Sequence, residues 1–104
     1  MPATKEEMRM AILTMFEVHG DPDEIVAAQE EKIAPTAARV AAENGGISNT
    51  VVKTDEGVMI VNHWESEEGM RKASEQIRPI AQEAGLEQVG WRQYEVLRHR
   101  TPGD

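Results

Sequence analysis

Two segments of this chain are apolar on both sides of a strand, and they constrain the fold more than any other feature. The first is "RMAILTMFEV", residues 9–18, where Ile12, Thr14, Phe16 and Val18 alternate with Ala11, Leu13, Met15 and Glu17. The second is "GVMIVNHWE", residues 57–65, with Val58, Ile60, Asn62 and Trp64 on one side and Met59, Val61 and His63 on the other. A strand that is apolar on both sides belongs in the middle of a sheet whose two faces are both covered. These two strands are therefore expected at the centre, and whatever covers the sheet must cover it twice.

The remaining segments supply one cover. In "GDPDEIVAAQEEKIAPTAARVAAENGG", Asp21 can cap a helix, Pro22 suits its first turn, and Glu24 completes a capping box. Val26, Ile33, Ala37, Val40 and Ala41 recur at helical spacing until Gly45 and Gly46. Pro35 removes a backbone donor inside this run, which predicts a kink or break. "GISNTVVKT" and the second central segment flank "DEG" as a hairpin. Ser66 caps a second helix with Glu67 and Glu68 in its first turn, and Met70, Ala73, Ile77, Ile80, Ala81 and Ala84 form its apolar stripe. Pro79 predicts a second kink or a restart, and Gly85 a stop. "WRQYEVLRH" reads as a polar edge strand, followed by a short tail.

The order βαββαβ in 104 residues predicts one α+β domain of the ferredoxin-like kind, with its core at about residues 9–100. It has a four-stranded antiparallel sheet with two helices on one face. The other face still carries Leu13, Met15, Met59 and Val61. An apolar sheet face of that size marks an interface, and a homodimer packed sheet against sheet, a dimeric α+β barrel, is the simplest way to cover it.

Composition narrows the functional classes. A net charge of −8 repels phosphate backbones and argues against nucleic acid. The absence of cysteine removes disulfides, thiolate metal sites and cysteine nucleophiles. "MPATKEEMRM" lacks the apolar centre of a secretion signal, and no apolar run approaches the roughly 20 residues of a membrane span. A cytoplasmic protein with no membrane partner is the expectation. The acids of "GDPDE" have the wrong spacing for a calcium loop, and capping accounts for them.

Few residues offer chemistry. Trp64 is either a flat wall for an aromatic ligand or a packing anchor at the strand end. Asn62 shares its face and needs hydrogen-bond partners, from backbone or ligand. Thr14, on the facing side of the other central strand, pairs with Asn62 as the polar element of a small, mostly apolar pocket. Met70 is read as pocket lining. His63 points to the opposite face, toward the expected partner subunit, and His19 and His99 read as surface residues at strand ends.

The layout, together with "VMIVNHWESEEGM" and "KIAPTAA", resembles the antibiotic-biosynthesis monooxygenase-like group of dimeric α+β barrels over roughly residues 9–100. The carriers are an apolar strand that ends in Trp64-Glu65-Ser66 before the second helix, and a proline-containing first helix. The resemblance implies a pocket between sheet and helices in each subunit. It also implies, in some members, oxidation of aromatic polyketides or quinols by oxygen without metal or flavin. Trp64 matches the indole that lines the pocket in active members. Ile60 and Met70 stand where polyketide-oxidising relatives place an amide and a phenol. The histidine that the haem-degrading branch carries on its second helix has no counterpart between Glu67 and Ala84, and that branch's first-strand asparagine falls at about Thr14.

Together these readings predict a monooxygenase-like enzyme acting on a small hydrophobic, aromatic or quinone-type molecule with no cofactor and no metal ligands. Trp64, Asn62 and Thr14 would be its catalytic residues, and Phe16, Ile60 and Met70 its substrate-binding ones. The alternative is a non-catalytic small-molecule binder, or stress-related dimer, on the same scaffold; fold alone does not separate the two.

Overall fold

A computed structural model describes residues 11–100 and 102–103. The expected start of the first strand at Arg9 and Met10 lies outside the described residues. β1 (Ile12–His19) leads into a helical arm made of α1 (Pro22–Ala28), a π-helical turn (Gln29–Ile33) and α2 (Ala34–Glu43). The hairpin β2 (Gly46–Lys53) and β3 (Gly57–Trp64) follows, then α3 (Glu67–Glu83) and β4 (Val89–Glu95). The sheet order is β2-β3-β1-β4, all antiparallel, so β1 and β3 are central as their two-sided apolar pattern requires. This is a ferredoxin-like α+β fold, with a four-stranded antiparallel sheet and its helices on one face.

Local chemistry accounts for the ends of the elements. Asp21 Oδ1 accepts from Glu24 N at 3.0 Å, and Ser66 Oγ accepts from Gly69 N at 3.1 Å; these are the two predicted N-caps. α3 closes in a Schellman arrangement. Gly85 N donates to Gln82 O, Leu86 N donates to Ala81 O, and Gly85 takes the left-handed conformation at φ 78°.

The two internal prolines behave differently. Near Pro35 the first helical arm inserts a π-helical turn at Gln29–Ile33, and Pro35 then occupies the first turn of α2, where its missing N–H costs little. α3 runs through Pro79 as one helix, without the predicted restart. Glu75 and Pro79 are both exposed, so water can meet the carbonyl that the proline leaves unbonded.

Ile12, Thr14, Phe16 and Val18 of β1 are all under 8 % exposed, while the intervening residues are half-buried. On this helix-side face the core falls into two clusters. Phe16, Val18, Ile25, Ile33, Val58, Ile60, Ala81 and Leu86 form one. Ile12, Val40, Trp64, Met70 and Ala73 form the other. The opposite sheet face carries Leu13, Met15, Met59 and Val61, none of them fully buried, as the alternation predicts.

Candidate functional site

A cavity of about 390 Å³ opens between the helical arm and the helix-side face of β1, β2 and β3. Its volume lies in the range of small-molecule sites. Two local features create it. α2 turns Ala34, Ala37, Ala38, Ala41 and Ala42 toward the sheet, and methyl groups leave the space that larger side chains would fill. The π-helical turn adds Gln29, Glu30 and Ile33 to the wall. The edge strand β2 is exposed along its whole length, and its Ile47 and Val51, 46 % and 36 % exposed, form an apolar lip. Gly46 lets β2 start against α2, since a Cβ there would sit 2.8 Å from Ala41 Cβ and 3.0 Å from Ala41 O.

Of the residues predicted from sequence, Phe16, Ile60, Asn62 and Trp64 line this cavity. Phe16 stacks on Trp91, ring on ring at 5.6 Å and 13°, and the Arg78 guanidinium lies over that indole. Trp64 stands opposite Ile12 on β1 and Gly46 on β2, so the glycine leaves room for the indole on the β2 side. Thr14 and Met70 are not part of the lining. Thr14 is wholly buried, and Met70 packs into the second core cluster beside Trp64, Val40 and Ala73.

The hydrogen bonds redistribute the predicted roles. Trp64 Nε1 donates to Thr14 Oγ1 at 3.2 Å, and both groups are buried. The indole N–H is therefore already bonded inside the protein, and what Trp64 offers the cavity is its surface. Asn62 is the direct cross-strand partner of Thr14 on β1 and of Asn49 on β2. Its bonded partner is Asn49, whose Nδ2 donates to Asn62 Oδ1. Sequence reasoning missed Asn49. The signal that finds it is the hairpin register, which places Asn49 against Asn62 as it places Val51 against Ile60.

Among the described residues the cavity wall includes no lysine or arginine. Glu30 is, among the described residues, its one carboxylate, and Gln29, Gln88, Ser48 and the two asparagines are neutral polar groups of the wall. The site thus has an apolar bed, an indole wall and a pair of amides. Among the described residues no group of three His, Cys, Asp or Glu side chains is placed to hold a metal ion.

His63 borders this cavity and also a second one on the outer face, which Leu13, Tyr94 and residues 95–99 line. Its ring meets His99 edge-on at 4.7 Å, and its Nε2 is buried with no partner among the described residues. The chain's own C-terminal segment covers His63 where a partner subunit was expected to. Burial, and secondarily the neighbouring His99, hold the His63 imidazole below its usual pKa.

No protein-family model matches the chain, and no curated protein matches it. Solved structures do. A dimeric ferredoxin-like protein from an uncultured marine organism superimposes with a TM-score of 0.65 at 15 % identity, covering 98 % of this chain and 100 % of that one. SnoaB, a cofactor-independent oxygenase from Streptomyces nogalater, gives a TM-score of 0.59 at 18 % identity, covering 91 % and 97 %. A conserved protein from Methanosarcina mazei Go1 gives 0.60 at 14 %, covering 88 % and 98 %. At these identities the likeness is one of fold. No helix among the described residues is long and apolar enough to cross a membrane.

Proposed function

We propose that this chain is a monooxygenase-like enzyme whose cavity holds a small aromatic or quinone-type molecule and exposes it to oxygen without metal or flavin. The observation that carries the reading is the cavity itself. A flat indole, an aromatic ring and an amide pair converge on an apolar space of about 390 Å³, in a fold shared with a cofactor-independent oxygenase. Trp64 and Phe16 would flank the substrate ring, Ile60 would shape the bed, and Asn62 would hold an oxygen substituent. Thr14 acts through Trp64 by fixing the indole, and Met70 supports it from the core.

The electrons must come from the substrate. For an anthrone, the ring CH₂ becomes a carbonyl, one oxygen atom enters the product and the other leaves as water. The four electrons lost by carbon reduce one O₂. Oxygen uptake with an anthrone and quinol panel tests this. Wild type should consume oxygen above the uncatalysed rate, Asn62→Ala should lose most of that activity, and Trp64→Phe should retain part of it. No turnover on any member of the panel would overturn the enzyme reading.

A second reading, a non-catalytic binder on the same scaffold, is favoured by one observation. The indole N–H and the Thr14 hydroxyl are bonded to each other, which leaves Asn62, itself bonded to Asn49, as the one member of the predicted catalytic trio with polar atoms open to the cavity. Binding of the panel without oxygen uptake supports it.

We also propose a homodimer formed through the outer sheet face. Support comes from the half-buried Leu13, Met15, Met59 and Val61, and from the dimeric state of a structural neighbour. Sedimentation at twice the 11.6 kDa chain mass is the expected result.

A further inference from the structure

The Asn49–Asn62 pair bears on which molecules the cavity accepts, an inference that rests on the cavity being the ligand site. The two side chains face each other across the β2–β3 ladder and share one hydrogen bond, from Asn49 Nδ2 to Asn62 Oδ1. Asn62 has one lone pair of its carbonyl engaged and keeps both Nδ2 hydrogens. Asn49 has one N–H engaged and keeps its other N–H and its Oδ1 acceptor. Thr14, the other cross-strand neighbour of Asn62, has its hydroxyl oxygen engaged by Trp64 and is sealed off from the cavity. Among the described residues no protein group answers either remaining function. A donor and an acceptor therefore stand at the cavity wall on the same sheet face as the apolar Ile60 and Val51.

We propose that Asn49 is a specificity-determining residue, and that the amide pair selects a neutral, flat ligand bearing an adjacent C=O and N–H, as on the edge of a lactam or a secondary cis-amide. The ligand carbonyl accepts from Asn62 Nδ2, and the ligand N–H donates to Asn49 Oδ1. A ring ester of the same shape satisfies only the first bond and sets its ring oxygen against the Asn49 carbonyl, two acceptors facing each other. Anionic ligands are selected against, because among the described residues no cationic side chain lines the wall and Glu30 does.

The test uses two bicyclic isosteres, 2-quinolinone (lactam) and coumarin (lactone), titrated calorimetrically into the wild-type protein, Asn49→Ala and Asn49→Asp. Both substitutions lie on the exposed edge strand, and circular dichroism checks the fold. Wild type should bind the lactam about tenfold more tightly than the lactone, the worth of one well-made hydrogen bond plus a removed acceptor clash. Asn49→Ala should reduce the preference below about twofold by deleting the acceptor. Asn49→Asp keeps an acceptor at this position and should retain the preference for the N–H-bearing lactam. Equal affinities in wild type, or a preference that survives in Asn49→Ala, would overturn the role of Asn49 and leave the cavity a ligand site. If neither compound binds wild type, the cavity reading fails with it.

Discussion

The two faces of the sheet are built from the same kinds of residue and end in different states. On the helix side the alternate residues of β1, Ile12 to Val18, are nearly all sealed, and the space left uncovered is the cavity under the alanines of α2. On the outer side Leu13, Met15, Met59 and Val61 stay half-exposed, while the His63 side chain is buried beside residues 95–99. One face is completed by the chain's own helices; the other is completed by the chain at a single point. Apolar content therefore does not say which face is finished. What covers it does.

Three measurements would break or sharpen this contrast. The largest effect belongs to the sealed face. Trp64→Ala removes a buried indole and strands the Thr14 hydroxyl, and should cost about 3–5 kcal/mol in urea unfolding. A loss below about 1 kcal/mol would mean that this end of the core is loosely packed.

Next comes the outer face. Val61→Lys should leave the far-UV spectrum intact while moving the sedimenting species from twice the chain mass to 11.6 kDa. A wild-type protein that already sediments at 11.6 kDa would show the outer face to be a finished surface.

The smallest effect concerns His63. Because folding holds its pKa down, the unfolded chain binds the proton more readily than the native state. Its contribution to stability is complete above the unfolded value of ~6.5 and is lost as the pH falls from there toward the folded pKa. Unfolding midpoints between pH 7.5 and 5.5 should decline in wild type and decline less in His63→Phe. Parallel declines would mean that the His63–His99 contact does not seal the imidazole. Glu95, Arg98 and His99 line the same outer cavity, and the difference between the two proteins isolates the His63 share.

Much of this was legible in the sequence, for identifiable reasons. Two-sided apolarity placed β1 and β3 at the centre, and Asp21 and Ser66 marked helix starts because a short polar side chain before an acidic first turn has few other uses. Pro35 signalled a disturbed helix, although its form, a π-helical turn one step upstream, depended on how the arm packs. Period two correctly put Phe16, Ile60, Asn62 and Trp64 on the cavity side. It could not say how deep each would lie. Thr14 shares that face and is sealed beneath the indole, and Met70 shares a helix stripe with true core residues and joins them.

What the sequence determined by itself, then, is whatever depends on neighbours a few residues apart: strand faces, caps, turns and the order of the elements. Tertiary structure decided the hydrogen bonds between side chains distant in sequence. Thr14 and Trp64 are separated by 50 residues and Asn49 and Asn62 by 13, and each bond changes what the bonded group has left to offer a ligand. A polar side chain's free valence is set by the partner it has already found, and that partner is chosen by register and packing. For this reason the proposed ligand contacts pass from the Trp64 N–H, the obvious group in the sequence, to the amides of Asn49 and Asn62.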